Sequence, residues 1–435
     1  MASRVPAPGA AGLPIEARLR ASGLPTLPRL SWMEVDLGVL RSNAQALAAH
    51  LGPDVDLAVV VKADGYGHGL LAAAHAGLEG GATVLAVATL DEALVLRAAG
   101  FTARILVLYA VPPDALGEAV AADLDLVAMD ARSVADLCAI LPRWLSSGLP
   151  VPKVHLGLDT GMTRGGLAPA EGVAAARQLL DAGLPGLAGT WSHLASPEAR
   201  GATERQVAGF TAGLAALRAA GIDPGVRHLN ATGGMLDDRS PHWDMARAGL
   251  AFYGHLPGDV TTGAGREGLR DALAPAVRIT ARAASIETVP AGTTVGYGGT
   301  WVAERESVIA TLAVGYADGW TRLYAPASRA RVRGTAVPLV GRVGSDAVAL
   351  DVTDVTPAFG FEDEVVLVAP DGSGGSTVED LASRRGSISW EVLDDFTTRL
   401  ARVYTDGGRP VAVRYLDGRL VTSPGYELRL HAATD

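Results

Sequence analysis

Lysine is almost absent from this chain: only two of its 37 lysine and arginine residues are lysines. One of them, Lys62, lies in the stretch LAVVVKADGYGHG that begins at Leu57, directly after a run of valines. A generic surface charge could have been arginine, as it is elsewhere in the chain. Arginine cannot form an imine with an aldehyde cofactor or carry a proton near neutral pH, whereas lysine can do both. Tyr66 brings a hydroxyl four residues later, and Gly65, Gly67 and Gly69 let the backbone turn sharply and approach a ligand. The other lysine, Lys153, opens its own strand-like run, KVHLGLD. About four residues at roughly 3.3 Å each separate it from the far end of that strand.

A lysine used for chemistry has to be held at the mouth of a scaffold. Between residues 32 and 268, short β-branched or leucine-rich runs starting near 57, 84, 105, 126, 153, 187, 226 and 249 alternate with alanine-rich helical segments, most ending in glycine. Eight such repeats predict an α/β fold, a (β/α)8 TIM-type barrel, with a doubly wound open sheet as the competitor. In a barrel, the C-terminal strand ends face the site, and Lys62 occupies that place on the first strand. From 269 to 435 the texture changes to strand-like runs broken by Gly, Pro, Asp and Ser, plus one late helical segment, SWEVLDDFTTRLARVY. This predicts a mainly β C-terminal domain. Residues 1–31, rich in Pro, Ala and Gly, suggest a flexible extension or a short packing arm.

A net charge of -10 and a pI near 5.4 argue against nucleic acid, which needs clustered cations. No run approaches the roughly 20 apolar residues of a membrane span, so no membrane partner is expected. The N-terminus lacks the continuous apolar core of a secretory signal. A lone cysteine, Cys138, cannot form an internal disulfide and suits a small buried apolar position in a helix. A reducing, cytoplasmic compartment is therefore expected, and no metal.

Taken as VVKADGYGHG, the lysine stretch closely resembles the pyridoxal-phosphate attachment motif of the alanine racemase family, PLP-dependent enzymes of fold-type III. The resemblance implies that Lys62 is the Schiff-base lysine and that Tyr66 contacts the cofactor phosphate. HLGLDTGMTRGG at 155 resembles the segment whose arginine lies over the cofactor, Arg164, and TWSHLA the segment with a histidine beside the ring, His193. RHLNATGG and MARAGLAFYGHLPG align with the phosphate-binding loops, giving Thr232, Gly249 and Leu250, and with the arginine that faces the pyridine nitrogen, Arg247. VGYGGT at 295 supplies Tyr297 as the second catalytic base, delivered in this family from a second subunit. VGRVGSDAVALDV carries Ser345 and Asp346 near the substrate carboxylate. The implied protein is a homodimer with a shared site, interconverting L- and D-amino acids by a Lys62/Tyr297 two-base mechanism. An arginine at the ring nitrogen keeps its proton, so that nitrogen stays unprotonated and side reactions are disfavoured.

The sequence departs from the family at several places. Gly157 stands where many members carry a lysine, often carbamylated, that braces the arginine matching Arg164. Ser345 replaces a methionine, Trp390 replaces a tyrosine near cofactor and substrate, and Thr232 and Ala231 replace serine and asparagine. These changes imply altered recognition of the side chain, so that within the class of alanine or a related small or polar amino acid the substrate is expected to be not simply alanine, and they imply a water or anion beside Arg164. They also leave open different chemistry at Cα: one-carbon transfer, an aldol-type reaction or decarboxylation.

Overall fold

The computed structural model describes residues 13–148, 151–237, 239–258, 267–325, 328–371 and 375–427. The chain forms two compact units. One is built from Leu40–Gly65 and Ala73–Ala274; the other takes the N-terminal residues to Val39, Tyr66–Ala72 and Pro275–Leu428.

In the first unit the apolar runs become eight strands: β1 (Asp56–Val60), β2 (Val84–Val87), β3 (Arg104–Val107), β4 (Asp125–Ala128), β5 (Lys153–Gly157), β6 (Gly189–Trp191), β7 (Val226–His228) and β8 (Met245–Ala248). Most of their residues are buried on both faces, as parallel strands flanked by helices must be. Neighbours pair in parallel from β1 through β7, and β8 returns to β1 with Met245 opposite Asp56. Between β7 and β8 the N–H of Asp244 donates to Arg227 O at 3.0 Å and that of Arg247 to Asn230 O at 3.0 Å, which nearly closes the ring. The barrel, not the open sheet, is the fold. The eighth strand lies elsewhere than expected: GLAFYG is a 3-10 turn over Leu250–Tyr253, and the strand is the preceding MARA. Alanines and an arginine carry little β signal, and only closure of the ring makes that segment a strand.

The second unit is dominated by an eleven-stranded sheet. Strand Ser31–Asp36, allotted to the barrel on sequence, pairs here with Val277–Ala281 antiparallel and with Ala401–Asp406 in parallel. Its length and composition suit either sheet, so pairing decides. Within the N-terminal segment, Ile15–Ala21 forms a helix whose Ile15 and Leu19 are sealed against Trp32, Val403, Val413 and Tyr415. Burying each contributes roughly 1.5–3 kcal/mol, enough to fix so short a helix. Arg18 adds paired bonds to Glu34 at 2.7 and 2.9 Å. Residues 1–12 of the expected extension lie outside the described residues. The late helical run is helical only over Ser389–Asp395; Phe396 is extended and Ala401–Asp406 is a strand, in keeping with its Val, Tyr and Thr. Among the described residues no helix is long and apolar enough to cross a membrane.

Candidate active site

Lys62 follows β1 at the C-terminal end of the barrel. The next residues, Ala63, Asp64 and Gly65, have φ of 52°, 55° and 63°, and Tyr66 has φ of 49°. They make one turn of left-handed helix. For L-residues that conformation costs roughly 1–2 kcal/mol each, and such strain persists where surrounding structure imposes it, often at functional sites. Here the Ala63 N–H donates to Glu92 Oε1 at 2.7 Å and the Gly65 N–H to Val61 O at 2.9 Å. Beyond the turn, a Cβ on Gly67 would lie 2.4 Å from Leu393 O and one on Gly69 would lie 2.0 Å from the Tyr404 hydroxyl oxygen. The motif glycines therefore serve close approach as much as turning. Lys153 opens β5 at the other end of the barrel and pairs with Asp123 at 2.8 Å.

Arg247, on β8, is buried in the barrel mouth. Its Nη1 donates to His228 Nδ1 at 2.6 Å and to His228 O at 3.2 Å. Its Nη2 donates to Ser192 O at 2.8 Å, Leu229 O at 3.2 Å and His193 Nδ1 at 3.2 Å. The guanidinium also lies 5.4 Å from the centre of the Trp191 ring, in cation–π range. Burial, and then Arg164, push its pKa down to about 9, still above neutrality, so the cation persists. His193 is held well below its ordinary pKa by burial and by the charges of Arg247, Arg164 and Lys62. The imidazole is therefore neutral, and those same influences place the four side chains in one electrostatic neighbourhood. Arg164 itself is exposed, on a loop tied by Asp159, whose Oδ1 accepts from the N–H groups of Gly161, Met162 and Thr163 at 2.9, 3.0 and 3.1 Å.

A second cluster lies after β8. The 3-10 turn over Leu250–Tyr253 begins at Gly249, its Phe252 N–H returning to Gly249 O at 2.9 Å. Ala251 N–H donates to Thr232 Oγ1 at 3.2 Å, and the turn itself offers no partner to the N–H groups of Gly249 and Leu250.

The remaining expected residues belong to the second unit. Tyr297 sits in a turn flanked by Gly296 and Gly298, both at positive φ, and is 74% exposed. A Cβ on Gly344 would lie 3.6 Å from its ring, so Tyr297 neighbours the loop of Ser345 and Asp346. Asp346 pairs with Arg399, which lowers its pKa against the opposing effect of burial. Trp390 is half-buried in the helix Ser389–Asp395.

Two family models cover most of the chain: one described as alanine racemase, N-terminal domain, matches residues 35–257, and one described as alanine racemase, C-terminal domain, matches residues 276–404. The chain belongs to the alanine racemase family. It is 40% identical over 385 residues to the alanine racemase of Salinispora arenicola, covering 87% of this chain and 99% of that one. It is 35% identical over 377 residues to that of Desulfovibrio desulfuricans, covering 86% and 98%. Among solved structures, the alanine racemase of Bacillus anthracis with bound L-Ala-P superposes with a TM-score of 0.81 at 31% identity, covering 90% of this chain and 99% of that one. That of a D-cycloserine-producing Streptomyces lavendulae gives 0.78 at 32% identity, with 87% and 98% covered. These relatives favour racemisation over one-carbon transfer, aldol chemistry or decarboxylation.

The residues fit the pyridoxal phosphate of the alanine racemase family. A phosphate requires clustered N–H donors and a hydroxyl, which the Gly249–Leu250 turn and Thr232 offer. A pyridine nitrogen requires one donor; with both Nη groups of Arg247 engaged by the protein, Nε–H is its donor without an acceptor among the described residues. At Gly157 a side chain such as the family's bracing lysine would be tight, since a Cβ there would lie 3.2 Å from both Trp191 Nε1 and Ala128 O, so that one of them must give by a few tenths of an ångström. That indole N–H is buried with no acceptor among the described residues, so the place beside Gly157 carries a polar donor. Trp191, His228, His155 and Asp125 were not among the expected site residues. The signal available was two histidines and an aspartate inside otherwise apolar barrel strands.

Proposed function

We propose that this chain is a pyridoxal-phosphate-dependent amino-acid racemase acting on alanine or a related small or polar amino acid. Bound pyridoxal phosphate acidifies the α-hydrogen of the amino acid by drawing charge into its ring. Lys62 would hold the cofactor covalently, with Tyr66, Thr232, Gly249 and Leu250 at its phosphate, Arg247 at its ring nitrogen, and Arg164, His193 and Trp390 around it. Asp346 and Ser345, with Arg164, would receive the substrate carboxylate and side chain. Lys62 moves the α-proton on one face and Tyr297 on the other, which makes the reaction reversible in stereochemistry. Arg247, a cation enclosed by carbonyl and imidazole acceptors, donates to the ring nitrogen without releasing its proton, which favours return of the proton to Cα.

Tyr297 is supplied by a second copy of the chain in a homodimer. Its 74% exposure within one chain supports that reading, since a buried phenol could not be shared. A cytoplasmic location accords with the single, half-buried Cys138. The observation that carries the assignment is Lys62, held on a left-handed turn at the barrel mouth and electrostatically coupled to His193 together with Arg164 and Arg247. The test is borohydride reduction of the holoprotein followed by peptide mass mapping. The cofactor adduct is expected on Lys62; an adduct on Lys153, or none, refutes the assignment.

A further inference from the structure

Behind Arg247 a line of buried polar groups crosses the barrel. His228 Nδ1 meets Arg247 Nη1 at 2.6 Å, and His228 Nε2 lies 2.9 Å from His155 Nδ1. His155 Nε2 lies 3.1 Å from Asp125 Oδ2, and that same oxygen accepts from Arg104 Nη2 at 2.6 Å. Asp125, His155, His228 and Arg247 are each at most 2% exposed. Room for the line is made by Gly189, where a Cβ would stand 2.3 Å from His155 Nδ1.

A guanidinium can only donate and an ionised carboxylate can only accept. With such groups at the two ends, one arrangement of protons satisfies every contact. His228 offers its Nδ1 lone pair to Arg247 and carries its proton on Nε2. That proton goes to His155 Nδ1, so His155 carries its own on Nε2, facing Asp125. A further proton on either imidazole would set one N–H against another, at His155 or at Arg247.

We propose that Asp125 and His155 are positioning residues: through two imidazoles they fix the tautomer of His228 that holds Arg247 as a donor in the barrel mouth. The charges accord with this. Burial, and then the charge of Arg247, hold His228 well below its ordinary pKa. For Asp125, burial is outweighed by the bond from His155 and by the neighbouring Arg104, which lower its pKa. The consequence for catalysis rests on the racemase reading; the tautomers do not.

The test is ring-nitrogen NMR of histidines in the full-length protein labelled with nitrogen-15, with assignments from His155→Gln and His228→Gln. At about pH 8 both residues are expected as neutral Nε2–H tautomers, and the His228 signals should stay fixed down to about pH 5.5. An Nδ1–H tautomer at either residue, or an imidazolium at His228 in that range, overturns the proposal without recourse to any Asp125 variant. Asp125→Asn can keep an oxygen facing Arg104 and His155, its amide taking the place of Oδ1, and should preserve the tautomers. Asp125→Leu removes the acceptor and should shift His155 toward mixed tautomers. In the holoenzyme, kcat should fall on the order of tenfold in Asp125→Leu with KM little changed, and recover in Asp125→Asn. Unchanged histidine spectra in a folded Asp125→Leu protein would also overturn the role. If the spectra behave as expected but neither protein racemises any amino acid, the racemase reading fails and the tautomer lock stands.

Discussion

Just beyond the turn that follows Lys62, Gly67 is held by one residue far along the chain, and the removal of that residue has a calculable effect. Arg402 is fully buried and donates Nε and Nη2 to Gly67 O at 3.1 and 2.9 Å, Nη2 also to Phe396 O at 2.7 Å, and Nη1 to Leu400 O at 2.7 Å and to Thr397 O. Arg402→Met keeps most of the apolar stem but strips the carbonyls of Gly67, Phe396 and Leu400 of this donor, whereas Thr397 O keeps the Leu400 N–H at 3.3 Å. At about 1 kcal/mol for each of these three acceptors, the loss is about 3 kcal/mol, a large part of the roughly 5–15 kcal/mol that a folded domain has in reserve. Urea denaturation followed by circular dichroism should show a lower midpoint with an unchanged slope. Because Gly67 is five residues from Lys62, cofactor affinity should weaken too, measured by titration of pyridoxal phosphate into the cofactor-free protein. A stability loss below about 1.5 kcal/mol would refute the reasoning, since three buried carbonyls cannot lose their donor that cheaply.

Other outcomes follow from the same geometry. His193 and His228 stay neutral when folded but titrate near 6.5 when unfolded, so each stabilises the fold fully above about pH 6.5. As pH falls below that value, each loses up to about 1.4 kcal/mol per pH unit, and urea midpoints measured at about pH 6.5 and 5.5 should fall accordingly; constant midpoints would contradict it. Gly157→Lys, which restores the residue common in the family, must move the Trp191 indole and should cost roughly 1–3 kcal/mol by thermal unfolding, with partial relief in Gly157→Lys/Trp191→Leu. A gain in stability from the single change would show that the indole is not the obstacle. Lys62→Ala and Tyr297→Phe should each be nearly inactive alone, yet regain about a quarter of wild-type activity when subunits are mixed and exchanged, because half the dimers then hold one intact site. Failure to recover would place both bases in the same chain.

Much of this was legible in the residues. The barrel could be read because buried parallel strands announce themselves as apolar runs, and Lys62 because the chain is otherwise nearly free of lysine. β8 was hidden, since MARA becomes a strand only when β1 and β7 flank it. Strand Ser31–Asp36 was not among the expected strands, and its segment was assigned to the barrel domain, for register with residues about 250 and about 370 positions away leaves no local trace. The site residues that the family resemblance implies could be carried over by motif. Their supports could not: nothing in the spelling of His155, Gly189 or Trp191 tells that an imidazole needs the space a glycine leaves, or that an indole stands against Gly157. Those relations exist only between strands.

The most direct test of the central claim is to incubate the holoprotein with L-alanine, L-serine and larger L-amino acids in D2O, following chirality and Cα deuteration by NMR. Deuterium should enter Cα of alanine or a small polar amino acid as the D-isomer accumulates, and both signals should vanish in Lys62→Ala. No exchange at Cα of any amino acid by a protein loaded with pyridoxal phosphate would contradict the account.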